Sequence, residues 1–359
     1  MSPSYGSFRS PRPSTSRSST FPSYNTSRKK PRRWPLVLRF VKGAVHVDIA
    51  IAVILHAAFT ALICYWQVEK NGHLSIPSSV VPSLSIVVGL MLVFRNGTSY
   101  DRFWQGNQLF TTVVTNIRNL TRSFLACSHT SKGPPPTDVE RADTERTVRV
   151  LLALVYATKN HLRAEWGGAM PPLLLAQSEI ERHRRESVSV HKPEYAELLP
   201  PGTRGHEESG LGLLLQLSIQ VEAYIKRAHD RGWFHSPQAS QMSVQLNTLV
   251  AAYGSMETIH LTPLPVAYLI HMRQVLSLFC CVLPFAWVAE MGWWTVLMVA
   301  VVSFTLYGIE AIGQQLEDPF GYDRIDIKVD AIAEDLRVET TVLLENWRRG
   351  GDMFPKDQL

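Results

Sequence analysis

Apolar positions along the chain collect into a few long runs almost free of charge, while elsewhere they recur at helical spacing among polar and charged residues. A helix needs roughly 20 mostly apolar residues to cross a hydrocarbon core about 30 Å thick. Ile76 to Phe94 and Met291 to Ile309 contain no charged residue, and Ile49 to Val68 is equally clean once Asp48 ends the run. A fourth run, Gln274 to Ala289, is bounded by Arg273 and Glu290 and reaches spanning length by borrowing from Pro265 to Met272. Arg273 then has to face protein or the membrane interface.

The rest of the chain reads as helices. Val139 to Trp166 places Val148, Leu151, Leu152 and Val155 at three- and four-residue spacings among Glu140, Arg141, Glu145 and Arg149, behind a break at Gly133-Pro134-Pro135-Pro136. Leu211 to Ala228, Gln241 to His260 and Ile325 to Trp347 are further helical stretches, Pro193 to Gly210 is a loop, and no strand-like alternation competes. The expected fold is an all-α membrane protein with four transmembrane helices per subunit and a cytosolic helical domain. The chain divides into a Ser/Pro/Arg-rich tail (1–33), the first two spans (34–96), the helical domain (97–261), the last two spans (262–313) and an acidic turn with a C-terminal helix (314–359).

Charge sets the orientation. Of 36 basic and 31 acidic residues, eight basic and no acidic ones lie in 1–33, which leaves the remainder with 28 against 31. The basic excess is local to the tail, so a nucleic-acid partner is excluded. With the N-terminus inside, the outer loops carry a single basic residue, Lys70, which satisfies the positive-inside rule and puts both termini and the helical domain in the cytosol. The tail has the composition of a disordered segment; a cleaved transit peptide is the alternative. Arg28 to Arg33 adjoins the first span, where it fixes topology or touches anionic lipid. Cys64, Cys127, Cys280 and Cys281 lack metal-ligand spacing and are expected to be reduced packing residues.

The second span carries the most information. Ile86, Leu90 and Phe94, with Pro82, recur every four residues and share one slowly drifting face, beside a small-residue face of Ser85 and Gly89 expected to pack closely on neighbours. Such apolar faces more often meet lipid or protein; a ring of them from several subunits would instead form a constriction that controls ions by dewetting. Phe94-Arg95-Asn96-Gly97-Thr98-Ser99-Tyr100-Asp101-Arg102-Phe103-Trp104 follows at once. It reads as a membrane exit with Arg anchors, or as a hydrogen-bonded knot between the span and the cytosolic helices. After the last span, Glu317-Asp318-Pro319-Phe320-Gly321-Tyr322-Asp323 and Asp326 cluster carboxylates around a Gly turn. That suits a hard cation such as calcium, or an acidic turn with Asp323 as N-cap of a helix beginning near Ile325. His46 and Asp48 lie at the interface, and His56 is expected to bond a neighbouring helix. No catalytic constellation is visible, and the protein is not read as an enzyme.

Several of these segments, in order, resemble one family. Phe94-Arg95-Asn96 through Trp104, Thr262-Pro263-Leu264-Pro265 with Tyr268, Ile270, His271 and Arg273, Gly292-Trp293-Trp294, Phe304 to Gly308, Glu310-Ala311-Ile312-Gly313 and Glu317-Asp318-Pro319-Phe320-Gly321 are similar to the bestrophin-like chloride channels, in their bacterial, plant and fungal branch. The resemblance implies a homopentamer around one axial pore, a neck of three apolar rings at Ile86, Leu90 and Phe94, and a second cytosolic constriction among Leu213, Leu214 and Leu217. It also implies a register for the calcium clasp of animal members, with main-chain oxygens of Gln315 and Asp318 and the carboxylates of Asp323 and Asp326. Here Arg324 and Ile325 stand between those carboxylates instead of acids, and a calcium requirement is not expected.

The reading is a passive channel for chloride and similar small monovalent anions, embedded in lipid, with no required cofactor, in the plasma membrane or an internal organelle membrane. The rival on the same scaffold is a monovalent cation channel, since apolar rings do not encode charge sign. A secondary transporter is the further alternative, with His56 its single candidate site.

Overall fold

The computed structural model describes residues 45–70, 72–128, 136–163, 194–195, 197–199, 211–323 and 325–349. The tail of residues 1–33, Arg324 and most of the 193–210 segment fall outside them. The described residues hold eight helices: α1 (His46–Glu69), α2 (Val80–Cys127), α3 (Asp138–Leu162), α4 (Leu213–Asp230), α5 (Ser236–Leu261), α6 (Val266–Met291), α7 (Trp294–Gln315) and α8 (Val329–Arg348). Four of them, α1, α2, α6 and α7, are long and apolar enough to cross a membrane.

The second span starts later than its charge-free run and ends far beyond it. Pro77 disfavours helical backbone at Ile76, whose N–H instead donates to the Phe285 carbonyl of α6 at 3.0 Å. Pro82 is tolerated near the helix start, where N–H groups lack intrahelical partners anyway. From Val80 the helix continues for 48 residues, about 72 Å at 1.5 Å per residue. It does not break at Asn96-Gly97. There Asn96 Nδ2 donates to the Leu92 carbonyl at 3.0 Å and Thr98 Oγ1 to that of Phe94 at 2.9 Å, so both polar side chains bond back onto the helix.

Inside the membrane group, Val88 and Leu92 of α2 pack with Leu276, Phe279, Cys280 and Leu283 of α6 and Val299 of α7. Gly292, at φ 53°, turns α6 into α7, a conformation that a side chain would strain. His56 bonds across helices as expected, its Nε2 lying 3.0 Å from the Tyr307 hydroxyl, and His46 stacks on Phe304. All four cysteines are free.

The extramembrane part is built around α3. Thr137 caps it in a capping box with Glu140, which explains the start just after the prolines. Its amphipathic opening turns give way to a stretch, Val150 to Asn160, buried on every side. There Lys159 is held by Glu194 at 2.6 Å and Asp330 at 3.2 Å. The lower half of α2, with α4, α5 and α8, closes the core around Phe124, Leu154, Leu217, Tyr224, Leu249 and Leu336. Burial pushes the Tyr224 phenol up to about 12, while its hydroxyl is bonded to Thr144 at 2.9 Å. The helix expected from Ile325 begins at Val329. Asp323 is therefore no N-cap; the Asp326 carboxylate accepts the Asp323 N–H at 2.7 Å and holds the preceding turn instead.

Candidate functional site

Helical register gives α2 two opposite faces. At about 100° per residue, Val88, Leu92, Arg95, Ser99, Gly106 and Phe110 point one way, and all are buried. Ile86, Leu90 and Phe94 point the other way and are 70%, 54% and 63% exposed. The three expected neck residues thus share an outward face that nothing among the described residues covers. The small-residue face is open as well. A Cβ on Gly89 would meet no atom within 4 Å, and the Ser85 hydroxyl, exposed, donates to the Pro82 carbonyl. Among the described residues nothing packs against this face, because the packed face lies on the far side of the helix.

Directly behind Phe94 sits Arg95, 1% exposed, with Nη2 3.8 Å from Glu310 and 3.6 Å from Glu317. Glu310 also receives Arg273 Nε at 3.0 Å, and Gln314 receives Arg273 Nη2 at 2.5 Å. Arg273 is thereby turned to protein, as its place in a membrane span requires. Glu317 accepts the Leu264 N–H at 3.2 Å. Two turns further along α2, Arg102 donates to three main-chain carbonyls, those of Ile259, Thr262 and Glu317. The polar run after the second span is the knot anticipated from its composition. The burial of Arg95 was not anticipated, although its spacing from Val88, Leu92 and Ser99 places it on their face.

The Asp318-Pro319-Phe320-Gly321 turn is seated on this helix. A Cβ on Gly106 would come within 3.0 Å of the Pro319 and Phe320 rings, so the absent side chain is what lets the turn approach α2. Arg163 Nε donates to the Phe320 carbonyl, the Ile327 N–H to that of Pro319, and Arg163 stacks over the Tyr322 ring. Gly321 makes room for Asp326, whose Oδ2 would lie 2.8 Å from a Cβ there.

Of the calcium register, Gln315 ends α7, half-buried, and Asp323 is exposed. Asp318 accepts the Phe320 N–H at 3.2 Å and faces His260 at 3.8 Å. This pairing holds the Asp318 carboxyl below, and the His260 imidazole above, their ordinary ranges. Asp326 is buried, its Oδ1 without a partner among the described residues, and burial raises its carboxyl. Among the described residues no three His, Cys, Asp or Glu side chains converge as a ligand set. The arrangement is that of a hydrogen-bonded turn.

Leu213, Leu214 and Leu217 are 6%, 3% and 0% exposed, inside the extramembrane core. Their burial gives them a packing role in the subunit. The apolar side chains that α4 turns outward are Leu215 and Ile219, four residues apart.

Residues 25–342 match the profile of a family described as Bacterial/Fungal Bestrophin protein. A voltage-dependent anion channel-forming protein of Nostoc sp. is 36% identical over 314 residues, covering 85% of this chain and 90% of its own. Another so named, from Synechocystis sp., is 32% identical over 335 residues, covering 92% and 98%. A crystal structure of a variant bacterial bestrophin homologue from Klebsiella pneumoniae matches with a TM-score of 0.65 at 21% identity, over 83% of this chain and 99% of that one. The four apolar helices, the long second helix and the seated Asp-Pro-Phe-Gly turn are thus found in a chain that belongs to the bacterial and fungal bestrophin family.

Proposed function

We propose that this chain is a passive anion channel, in which five copies surround an axial pore and Ile86, Leu90 and Phe94 form three stacked apolar rings. The observation that carries the reading is the outward face of α2. Three bulky apolar side chains at four-residue spacing are left exposed opposite the face that packs on α6 and α7. Brought to a common axis, such rings admit ions only when wetted, and a weakly hydrated monovalent anion loses least on passing them. The names of the Nostoc and Synechocystis relatives support the anion.

The positive-inside rule places the extramembrane helices and both termini in the cytosol. The belt of Arg95, Arg102 and Arg273 lies at that end of the spans, where cationic side chains suit the membrane boundary. The Asp-Pro-Phe-Gly turn acts as a structural clamp between α7 and α2, with no calcium needed for conduction.

Purified protein in a planar bilayer with asymmetric potassium chloride tests the reading. A reversal potential near that of chloride is expected, together with a cross-linking ladder ending at five subunits. A reversal potential near that of potassium would establish a cation channel on this scaffold, and absence of current from a cross-linked pentamer would overturn the channel.

A further inference from the structure

We infer that Asp101 and Arg122 set the charge preference of the pathway, with Arg122 concentrating anions in the water-filled wall below the neck and Asp101 opposing them nearer to it. The inference rests on the reading of α2 as the pore-lining helix, and it follows from register and exposure. Measured from Leu90 at about 100° per residue, Asp101 lies some 20° to one side and Arg122 some 40° to the other. They stand about 10 Å and 42 Å beyond Phe94 along the helix. The buried face keeps its bearing over the same length, from Val88 and Leu92 through Gly106 to Ile117 and Phe124, so the exposed stripe is continuous from Ile86 to Arg122.

Charge on this stripe is sparse. Between the neck and Arg122 it presents Gly97, Gln108, Thr115 and Asn119, which are neutral. Of the charged residues of α2, Arg95 and Arg102 point to the packed side, where both are engaged. Arg118 lies at the stripe's edge, and both of its bonds go to the Glu339 carboxylate, at 2.6 and 2.8 Å, which offsets its charge. Asp101 and Arg122 are exposed, and neither has an ion pair or side-chain hydrogen bond among the described residues. Their fields act on the solution beside them. Repeated by symmetry around a low-dielectric wall, an unpaired charge changes the local ion concentration severalfold.

The test is a pair of neutralisations with opposite expected signs. In bilayers bathed by about 0.01 M potassium chloride, where the Debye length is about 30 Å, Arg122→Gln should lower the chloride-to-potassium permeability ratio about twofold or more. Asp101→Asn should raise it by a similar factor, and Arg122→Lys should retain the original ratio. Near 1 M salt, with a Debye length of about 3 Å, all three should converge on the unsubstituted protein. Alanine variants of Ile86, Leu90 and Phe94, run in parallel, separate the two levels of the argument. If these alter the current while both neutralisations leave the low-salt ratio unchanged or shift it in the same direction, the charge assignment is wrong and the pore assignment stands. If the neck variants are silent as well, the pore-lining reading of α2 falls and this inference with it.

Discussion

Arg95 and Glu310 form an ion pair at 3.8 Å between α2 and α7, with both side chains almost wholly removed from solvent. Two guanidinium nitrogens of Arg95 have no hydrogen-bond partner among the described residues, and the charge that faces the buried guanidinium is that of Glu310 and Glu317. Breaking a buried pair typically costs about 3–5 kcal/mol. Arg95→Leu should stay nearer the low end, because Glu310 keeps Arg273 and Glu317 keeps the Leu264 N–H. Glu310→Leu should cost more, since it leaves two arginines short of a partner. Thermal unfolding in detergent decides this, and an Arg95→Leu protein with unchanged Tm would show that the pair contributes nothing.

If Ile86, Leu90 and Phe94 form the proposed neck, alanine at any one of them widens an apolar ring five times over, which lowers the dewetting barrier. Single-channel conductance or open probability should rise, on the order of twofold or more. Leu55→Ala, an exposed position on α1, serves as the control. Identical currents from all four variants would remove these residues from the pathway.

Asn96 and Asn119 stand in Asn-x-Ser/Thr patterns on α2. If the extramembrane helices are cytosolic, neither becomes glycosylated in a eukaryotic host. The migration of the protein should not change on enzymatic deglycosylation, and a shift abolished by Asn119→Gln would reverse the orientation.

The turn after α7 is held by protein hydrogen bonds, with Asp326 accepting from Asp323 and Arg163 donating to Phe320. Current should therefore vary little with free calcium over the cytosolic range. Asp326→Ala should instead destabilise the subunit by about 1–2 kcal/mol through loss of a charge-assisted hydrogen bond. Steep micromolar activation, lost in Asp323→Ala while the assembly survives, would reinstate a calcium site.

His260, at the end of α5, and Asp318, after α7, face each other at 3.8 Å. The native imidazole is raised above its ordinary 6.5, so the native state holds its proton more tightly than the unfolded chain, and stability falls as pH rises through that region. The Asp318 carboxyl lies below its ordinary 3.8, and its contribution is lost on acidification below that value. Both groups are partly solvated, which keeps the effect under about 1 kcal/mol. A plot of Tm against pH should decline as pH rises from 6.5, and His260→Gln should flatten it. A slope that survives the substitution would assign it to another group.

Much of this architecture is legible in the sequence because membranes impose a coarse code. Charge-free runs located four spans, and the stranded position of Arg273 required a partner that Glu310 and Gln314 provide. The length of α2 was hidden, since Asn96, Gly97 and Thr98 look like a helix end until their side chains are seen to bond back to the preceding turn. The run around Arg95 read as membrane-exit anchors or as a knot, and the burial of Arg95 stayed hidden because composition does not say which face of a helix a charge occupies; the spacing from Val88 and Leu92 does. Leu213, Leu214 and Leu217 were sought at a constriction, yet a run of leucines at the start of an amphipathic helix is what a core selects. The onset of α8 was misplaced because Asp323 was counted as a cap, whereas the turn is stabilised in the opposite sense, by Asp326 accepting from Asp323.

The unbroken backbone of α2 makes it a lever. Its fulcrum is the belt where Arg95 and Arg102 tie it to α7 and to the end of α5, roughly a third of the way along its length. A tilt of about 3° about that point moves the far end by about 2.5 Å, Ile86 by just under about 1 Å, and Phe94, beside the fulcrum, hardly at all. Displacements imposed on the extramembrane helices therefore reach the proposed neck reduced in size and opposite in direction. A coarse rearrangement of the large domain becomes a fine adjustment of aperture, without any helix having to unwind.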